Sequence, residues 1–284
     1  MKNPDLAPEI TKDHQVSPAP DAAPGERTKG QKSARLMAFR VGVLVVFFAV
    51  WWGTSGTLID KFFLPSPVRV VQELVDWVKD GSLWRNILAT LLPGLKGFAI
   101  ATVAAFILGY ALAMARFASD VLEPYITALY GIPIISIVPL LILWFGIGQE
   151  LAVAVAVLAS FFLMFYNVYF GIREVSPVLI DQVLIAGGSS WDIAWRVRLP
   201  SALVWVVAGM KVAVPHSIVG VVVAEFLTGN QGVGFLLASN ANQFNAAGTF
   251  AAVVVLASMS FILDRLLSLL TRRALSWKEA TRPQ

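Results

Sequence analysis

The stretch LAVAVAVLASFFLMFYNVYF (151–170), followed by GIREVSPVLIDQVLIAGGSSWDIAWRVRLP (171–200), decides how this chain folds. Its first part carries no charge. As a helix rising about 1.5 Å per residue, it reaches the roughly 30 Å of a bilayer's hydrocarbon layer. Its second part reads as two short helices and a turn. Ser176 suits an N-cap and Pro177 the first helical position, and Gly187-Gly188 stops the first helix. Ser189 with Asp192 resembles a capping box, Asp standing where Glu or Gln is usual. The second helix is expected to run until Pro200 breaks it, with Trp191, Ala194 and Trp195 on one face. Aliphatic and indole surface on a water-facing loop needs a partner.

Working outward, further apolar runs lie near 37–53, 89–115, 124–147, 201–225 and 247–263, which makes six spans with 151–170. The expectation is an all-α integral membrane protein. Composition agrees: the hydrophobic set is 57% of 284 residues and charged residues are 14%, against about 25% charged in soluble domains. There is no cysteine, which excludes thiolate metal sites, disulfides and cysteine nucleophiles.

The net charge of +4 is explained by orientation. With the N-terminus inside, 13 basic residues close to the span ends fall on the cytoplasmic side (Arg27, Lys29, Lys32, Arg35, Arg116, Arg173, Arg196, Arg198, Arg265, Arg272, Arg273, Lys278 and Arg282). Only 4 fall outside, Lys61, Arg69, Lys79 and Arg85. This positive-inside bias places both termini in the cytoplasm and leaves nucleic acid no role as a partner. Residues 1–34, with five prolines and ten charges, read as a disordered cytoplasmic tail and not as a signal peptide. Residues 35–272 form the membrane domain and 273–284 a cytoplasmic C-terminal tail.

An outer connection holds LPSPVRVVQELVDWVKDG (64–81). Ser66 and Pro67 start a helix, Gly81 ends it, and Val68, Val71, Val75 and Val78 line one face. The expectation is an amphipathic helix at the outer membrane surface.

The 171–200 loop resembles the cytoplasmic signature of permeases of ATP-binding cassette importers: E-A-A, three residues, G, nine residues, then I-x-L-P. Counting back from Pro200, the positions are Asp181, Gln182, Val183, Gly187, Val197, Leu199 and Pro200. Spacing is complete and the letters agree in part, Gln-Val replacing Ala-Ala. LPSP (64–67), PLLILWFGIG (139–148) and AEFLTGNQGVGFL (224–236) resemble the nitrate, sulfonate and taurine branch. The resemblance covers about residues 60–272. It implies a five-helix importer core around a pathway shared by two subunits, a homodimer by default. It also implies a solute-binding protein outside, and cytoplasmic ATP-binding subunits docked on a coupling helix with Asp181, Gly187, Trp191, Val197, Leu199 and Pro200. The implied cargo is a small anion of the sulfonate, taurine or nitrate class, with a neutral organic such as a thiamine pyrimidine precursor as the alternative. A secondary transporter would lack this loop. No G-x-x-x-x-G-K-[ST] occurs, so ATP belongs to another chain, no cofactor is expected here, and the chain is not an enzyme.

Within the spans a few residues stand out. Glu225 ends the fifth run, where a carboxylate either lines the pathway or caps local backbone. Lys211 either attracts an anion or snorkels, and Lys96 reads as structural. Pro215-His216-Ser217 interrupts the same span, with His216 a pathway candidate. Pro133 and Pro139 kink the third span, which is either a broken helix lining the pathway or a packed helix ending in an aromatic interface belt at Trp144 and Phe145. His14 and His216 are the only histidines, too few for a metal cluster. Gly229, Gly232 and Gly234 read as a flexible outer turn before a short helix.

Overall fold

A computed structural model describes residues 29–274, with side-chain surroundings for 35–269 and Thr271. Every element among the described residues is helical. In chain order they are α1 (Lys29–Thr54), α2 (Pro67–Lys79), α3 (Ser82–Met114), α4 (Arg116–Tyr130), α5 (Ile134–Phe145), α6 (Gln149–Arg173), α7 (Pro177–Ile185) and α8 (Ser190–Ile193). A π-turn (Ala194–Arg198) then leads into α9 (Leu199–Thr228), α10 (Val233–Asn242) and α11 (Ala246–Ala274). Five helices are long and apolar enough to cross a membrane, and the bent pair α4–α5 raises this to as many as six. The chain divides between Val50 and Trp51, within α1, into two compact units. Most of the stretch read as an N-terminal tail, and residues 275–284 of the C-terminal one, lie outside the described residues. α1 begins at Lys29, inside that N-terminal stretch.

In the second unit α6 is the central post. Leu151, Val155, Met164 and Val168 on it are fully buried. α3 and α9 pack along it because their contact faces are small. A methyl group on Gly97 of α3 would stand 2.5 Å from Ala156 Cβ and 2.9 Å from the Val153 carbonyl oxygen. One on Gly220 of α9 would stand 2.8 Å from Ala159 Cβ. Glycine there lets backbones approach, the usual basis of helix association in lipid, where burial of apolar surface drives little.

The third span departs most from a straight rod. α4 and α5 meet at 93° across Gly131–Pro133. Pro133 sits at the N-cap of α5 with extended backbone, where its missing N–H costs no intrahelical bond. Pro139 lies inside α5, whose Val138 and Leu141 are buried in a cluster with Val155 and Val221.

One expectation about proline fails: Pro200 does not end the loop helix. Pro215 and its polar neighbours stand inside α9, which continues through them. At Pro200 the π-turn is the reason: Leu199 N–H reaches back five residues to Ala194 O, which widens the turn where the proline ring would collide with a carbonyl. Around Pro215 the polar side chains bond back to the backbone of α9. Ser217 Oγ donates to Val214 O at 2.7 Å, and His216 Nδ1 lies 2.9 Å from Val212 O.

α2 forms where expected and packs on the protein through a second apolar stripe. Val70 and Trp77 are buried, with Leu74 partly so, in a cluster with Val233, Ala251 and Val255. Val68, Val71, Val75 and Val78 are exposed. The i, i+4, i+7 set of Val70, Leu74 and Trp77 is an apolar stripe of its own. Ser66 holds the N-cap position without a side-chain cap bond. Gly81, at φ +74°, joins α2 to α3.

Candidate functional site

The loop between α6 and α9 is fixed at every turn by backbone geometry. α7 starts at Pro177 after Ser176, whose side chain makes no cap bond. It ends in a Schellman motif: Gly187 N–H donates to Leu184 O at 3.0 Å and Gly188 N–H to Val183 O at 2.8 Å. Gly187 takes φ +78°, a conformation that disfavours a Cβ. The next helix opens with the expected capping box. Ser189 N–H donates to Asp192 Oδ2 at 2.9 Å, and Asp192 N–H donates to Ser189 Oγ at 3.3 Å. Asp192 also pairs with Arg196 at 3.4 Å.

This frame presents two indoles. Trp191 is 70% exposed and Trp195 is 53% exposed, with ring centroids 5.5 Å apart. Ala194, expected beside them, is buried together with Ile193, and its carbonyl accepts from Tyr110 OH of α3 at 3.1 Å. The pair therefore sits one turn from an anchor into the helix bundle. Beside it opens a cleft of about 720 Å³ lined by Leu179, Val183, Gly187, Val197, Pro200 and Trp205, among others. Gly187, Val197 and Pro200 thus meet in one groove. Asp181 faces a separate cleft with Arg198. Leu199 is half-buried and lines neither.

At the other end of α9 lies a buried polar knot. Glu225 is only 6% exposed. Its carboxylate accepts from Thr90 Oγ1 at 2.9 Å and from Gly234 N–H at 2.9 Å. Thr90 Oγ1 in turn accepts from Val233 N–H at 2.8 Å, and Asn86 Oδ1 accepts from Gly232 N–H at 2.7 Å. Three consecutive backbone amides, 232 to 234, are each satisfied by a different side chain. The glycine-rich turn expected to be flexible is therefore pinned. Its glycines serve close approach: a Cβ on Gly234 would stand 2.6 Å from Val222 O and 2.8 Å from Glu225 Cβ.

The other residues singled out are dispersed. Lys211 and His216 are exposed on α9, and Lys96 is exposed on α3. Pro133 and Pro139 belong to the bent pair. No group of three potential metal ligands exists among the described residues. Sequence reading missed Asn86 and Thr90, whose i, i+4 spacing in an apolar run was the available signal. It also missed a knot at the α6 terminus, where Arg173 Nη1 donates to Ser119 Oγ at 2.8 Å and to Tyr169 OH.

Comparison with known proteins gives these features a context. Residues 97–276 match the family described as the binding-protein-dependent transport system inner membrane component. The riboflavin transport system permease protein RibX of Chloroflexus aurantiacus is 32% identical over 243 residues, covering 85% of this chain and 91% of that protein. The taurine transport system permease protein TauC of Escherichia coli is 28% identical, covering 86% and 91%. The formylaminopyrimidine transport permease protein ThiX of Halalkalibacterium halodurans is 28% identical, covering 81% and 92%. Among solved structures, the inward-facing MetNI methionine ABC transporter superposes with a TM-score of 0.58 at 18% identity, over 71% of this chain and 98% of that one. An amino acid ABC transporter with histidines gives 0.55 at 16%, over 76% and 99%. The matched segment runs from the middle of α3 past the end of α11, taking in the doubly capped loop and Glu225 with its glycine turn, and the chain belongs to the binding-protein-dependent transport system inner membrane component family as a permease subunit of an ATP-binding cassette importer.

Proposed function

We propose that two copies of this chain form the pathway, and that the loop from Gly171 to Pro200 docks into an ATP-binding subunit on the cytoplasmic side. One observation carries the reading: the Trp191–Trp195 pair, exposed and adjacent on a loop rigid at both turns. Large aromatic anchors on a preorganised frame are what binding hot spots are made of. Gly187, Val197 and Pro200 shape the groove beside the indoles, Leu199 roots it in α9, and Asp181 belongs to the same loop on its other side, in the neighbouring cleft. Both termini lie in the cytoplasm, in keeping with the 13 basic residues against 4. ATP binds the partner and closes it. The loops are drawn together, the helices tilt, and the pathway opens outward to a solute-binding protein. Lys211 and His216 face the pathway from α9, and the α4–α5 bend at Pro133 with Pro139 forms its opposite wall. Glu225 holds the outer turn in shape.

The cargo on this reading is a small organic anion. Relatives named for taurine and for aliphatic sulfonates support it, as does an exposed intramembrane cation, Lys211. A flat heterocycle is the second reading, favoured by the relatives named for riboflavin and formylaminopyrimidine.

Co-purification with the ATP-binding subunit tests the docking role. Wild type should retain it, and Gly187→Asp and Trp191→Asp should each release it. Retention by both variants overturns the role. A thermal-shift screen of the cognate solute-binding protein against taurine and riboflavin decides between the cargo classes.

A further inference from the structure

A second cleft, of about 640 Å³, opens where α3 gives way to α4 and α6 gives way to α7. Three arginines from three different breaks in the fold line it: Arg116 opens α4, Arg173 ends α6, and Arg198 ends the π-turn. Asp120 and Asp181 line it too. Among the described residues none of the three arginines lies within ion-pair distance of a carboxylate.

The donors are arranged and only partly used. Arg173 is oriented by Ser119 Oγ and Tyr169 OH, with its guanidinium carbon 5.4 Å from the centre of the Tyr169 ring. Arg198 is half-buried, and its Nη1 has only the Met114 thioether at 2.8 Å, a weak acceptor. Its Nε is shut from solvent with no hydrogen-bond partner. Buried donors of this kind are nearly always matched, and an unmatched one is costly. An oxygen-rich anion entering the cleft would meet the exposed Nη end of the same guanidinium, which is otherwise short of acceptors. Guanidinium suits phosphate oxygens in particular. Three arginines against two aspartates leave one positive charge, which favours a singly charged phosphodiester over a dianion. The cleft lies at the ends of membrane-length helices, where basic pockets hold lipid phosphates. Phe117, beside Arg116, is 84% exposed and offers an apolar flank to an acyl chain.

We propose that this cleft binds a singly charged phosphate group, with Arg116 and Arg198 as ligands and Arg173 as a preset third donor. The site would brace the root of the docking loop, because Asp181 and Arg198 both belong to that loop. It does not depend on which ATPase or cargo the transporter uses.

The full-length chain in detergent is titrated with dihexanoyl phosphatidylglycerol, inorganic phosphate, and dihexanoyl phosphatidylcholine as zwitterionic control, and bound molecules are counted by native mass spectrometry. Phosphatidylglycerol should bind in excess of phosphatidylcholine. Arg116→Gln and Arg198→Gln should each weaken it about tenfold, as expected for loss of a hydrogen bond to a charged group. Arg85→Gln, remote from the cleft, should bind as wild type. Competition by inorganic phosphate identifies a free-anion site, and its failure to compete identifies a lipid headgroup site; both support the proposal. If neither anion exceeds the zwitterionic control, or if both cleft variants bind like wild type, the proposal is overturned. Arg116 is exposed at the start of α4, so its variant keeps the test decisive if Arg198→Gln does not fold.

Discussion

Thr90 and Glu225, 135 positions apart, are joined by hydroxyl–carboxylate contacts of 2.9 Å, and the same hydroxyl oxygen accepts the Val233 amide at 2.8 Å. One side chain thus ties α3 to α9 and both to the turn before α10. Replacing Thr90 by Val keeps the volume and removes both bonds, leaving a buried amide and a buried carboxylate oxygen each short of a partner. That costs about 1–3 kcal/mol. Thermal unfolding in detergent should show T90V destabilised and T90S close to wild type. Equal melting temperatures for all three would remove the hydroxyl from the account.

Gly187 supplies the left-handed residue of the Schellman turn, at φ +78°. An alanine there meets no neighbour, so the strain is purely conformational, about 1–2 kcal/mol. Asparagine tolerates this region better. Hydrogen exchange of the amides from Pro177 to Pro200 should quicken roughly five- to thirtyfold in Gly187→Ala and less in Gly187→Asn. An unchanged exchange rate in the alanine variant would mean that the turn is not held by this residue.

Trp191 and Trp195 separate folding from docking. Both are largely exposed, so truncation to alanine should shift stability by no more than about 0.5 kcal/mol. If they anchor an ATP-binding subunit, each should weaken its binding by about 2 kcal/mol, roughly thirtyfold. Melting temperature and dissociation constant, measured on the same preparations, give the comparison. A large loss of stability with little change in affinity would reassign the indoles to folding.

How much of this was legible in the sequence depends on the scale of the force involved. The spans were readable because twenty charge-free residues at 151–170 leave a helix few other places to go. The capping box was readable because Ser189 and Asp192 act within one turn. The inward face of α2 was not, because Val70, Leu74 and Trp77 compete with an equally apolar valine stripe, and helices distant in sequence, α10 and α11, decide between them. Pro200 was misread because proline's local veto was applied to an α-turn, while the chain makes a π-turn there. The partners of Glu225 lie on another helix and a later turn. A buried carboxylate announces that partners exist, and its own sequence neighbours do not name them.

Gly97 and Gly53 test whether the close approach of α3 to α6 supports the fold. Both are helical glycines, and alanine gains about 1 kcal/mol of helix propensity in a helix interior such as that around Gly97, and less at Gly53, one residue from the end of α1. They differ in surroundings. Around Gly53 no atom stands within 4 Å of the added methyl, whereas at Gly97 it would meet Ala156 Cβ at 2.5 Å and backbone atoms of Val153 and Val157 at 2.9 and 3.1 Å. Backbone on the central helix cannot yield as a flexible side chain does, so α3 must move off α6. Overpacking of this kind costs about 1–3 kcal/mol, enough to outweigh the propensity gain. Gly53→Ala should therefore be neutral or slightly stabilising, and Gly97→Ala destabilising, in thermal unfolding of the intact chain. Equal responses from the two would show that α3 and α6 can separate freely, and that small residues along this face do not hold the bundle together.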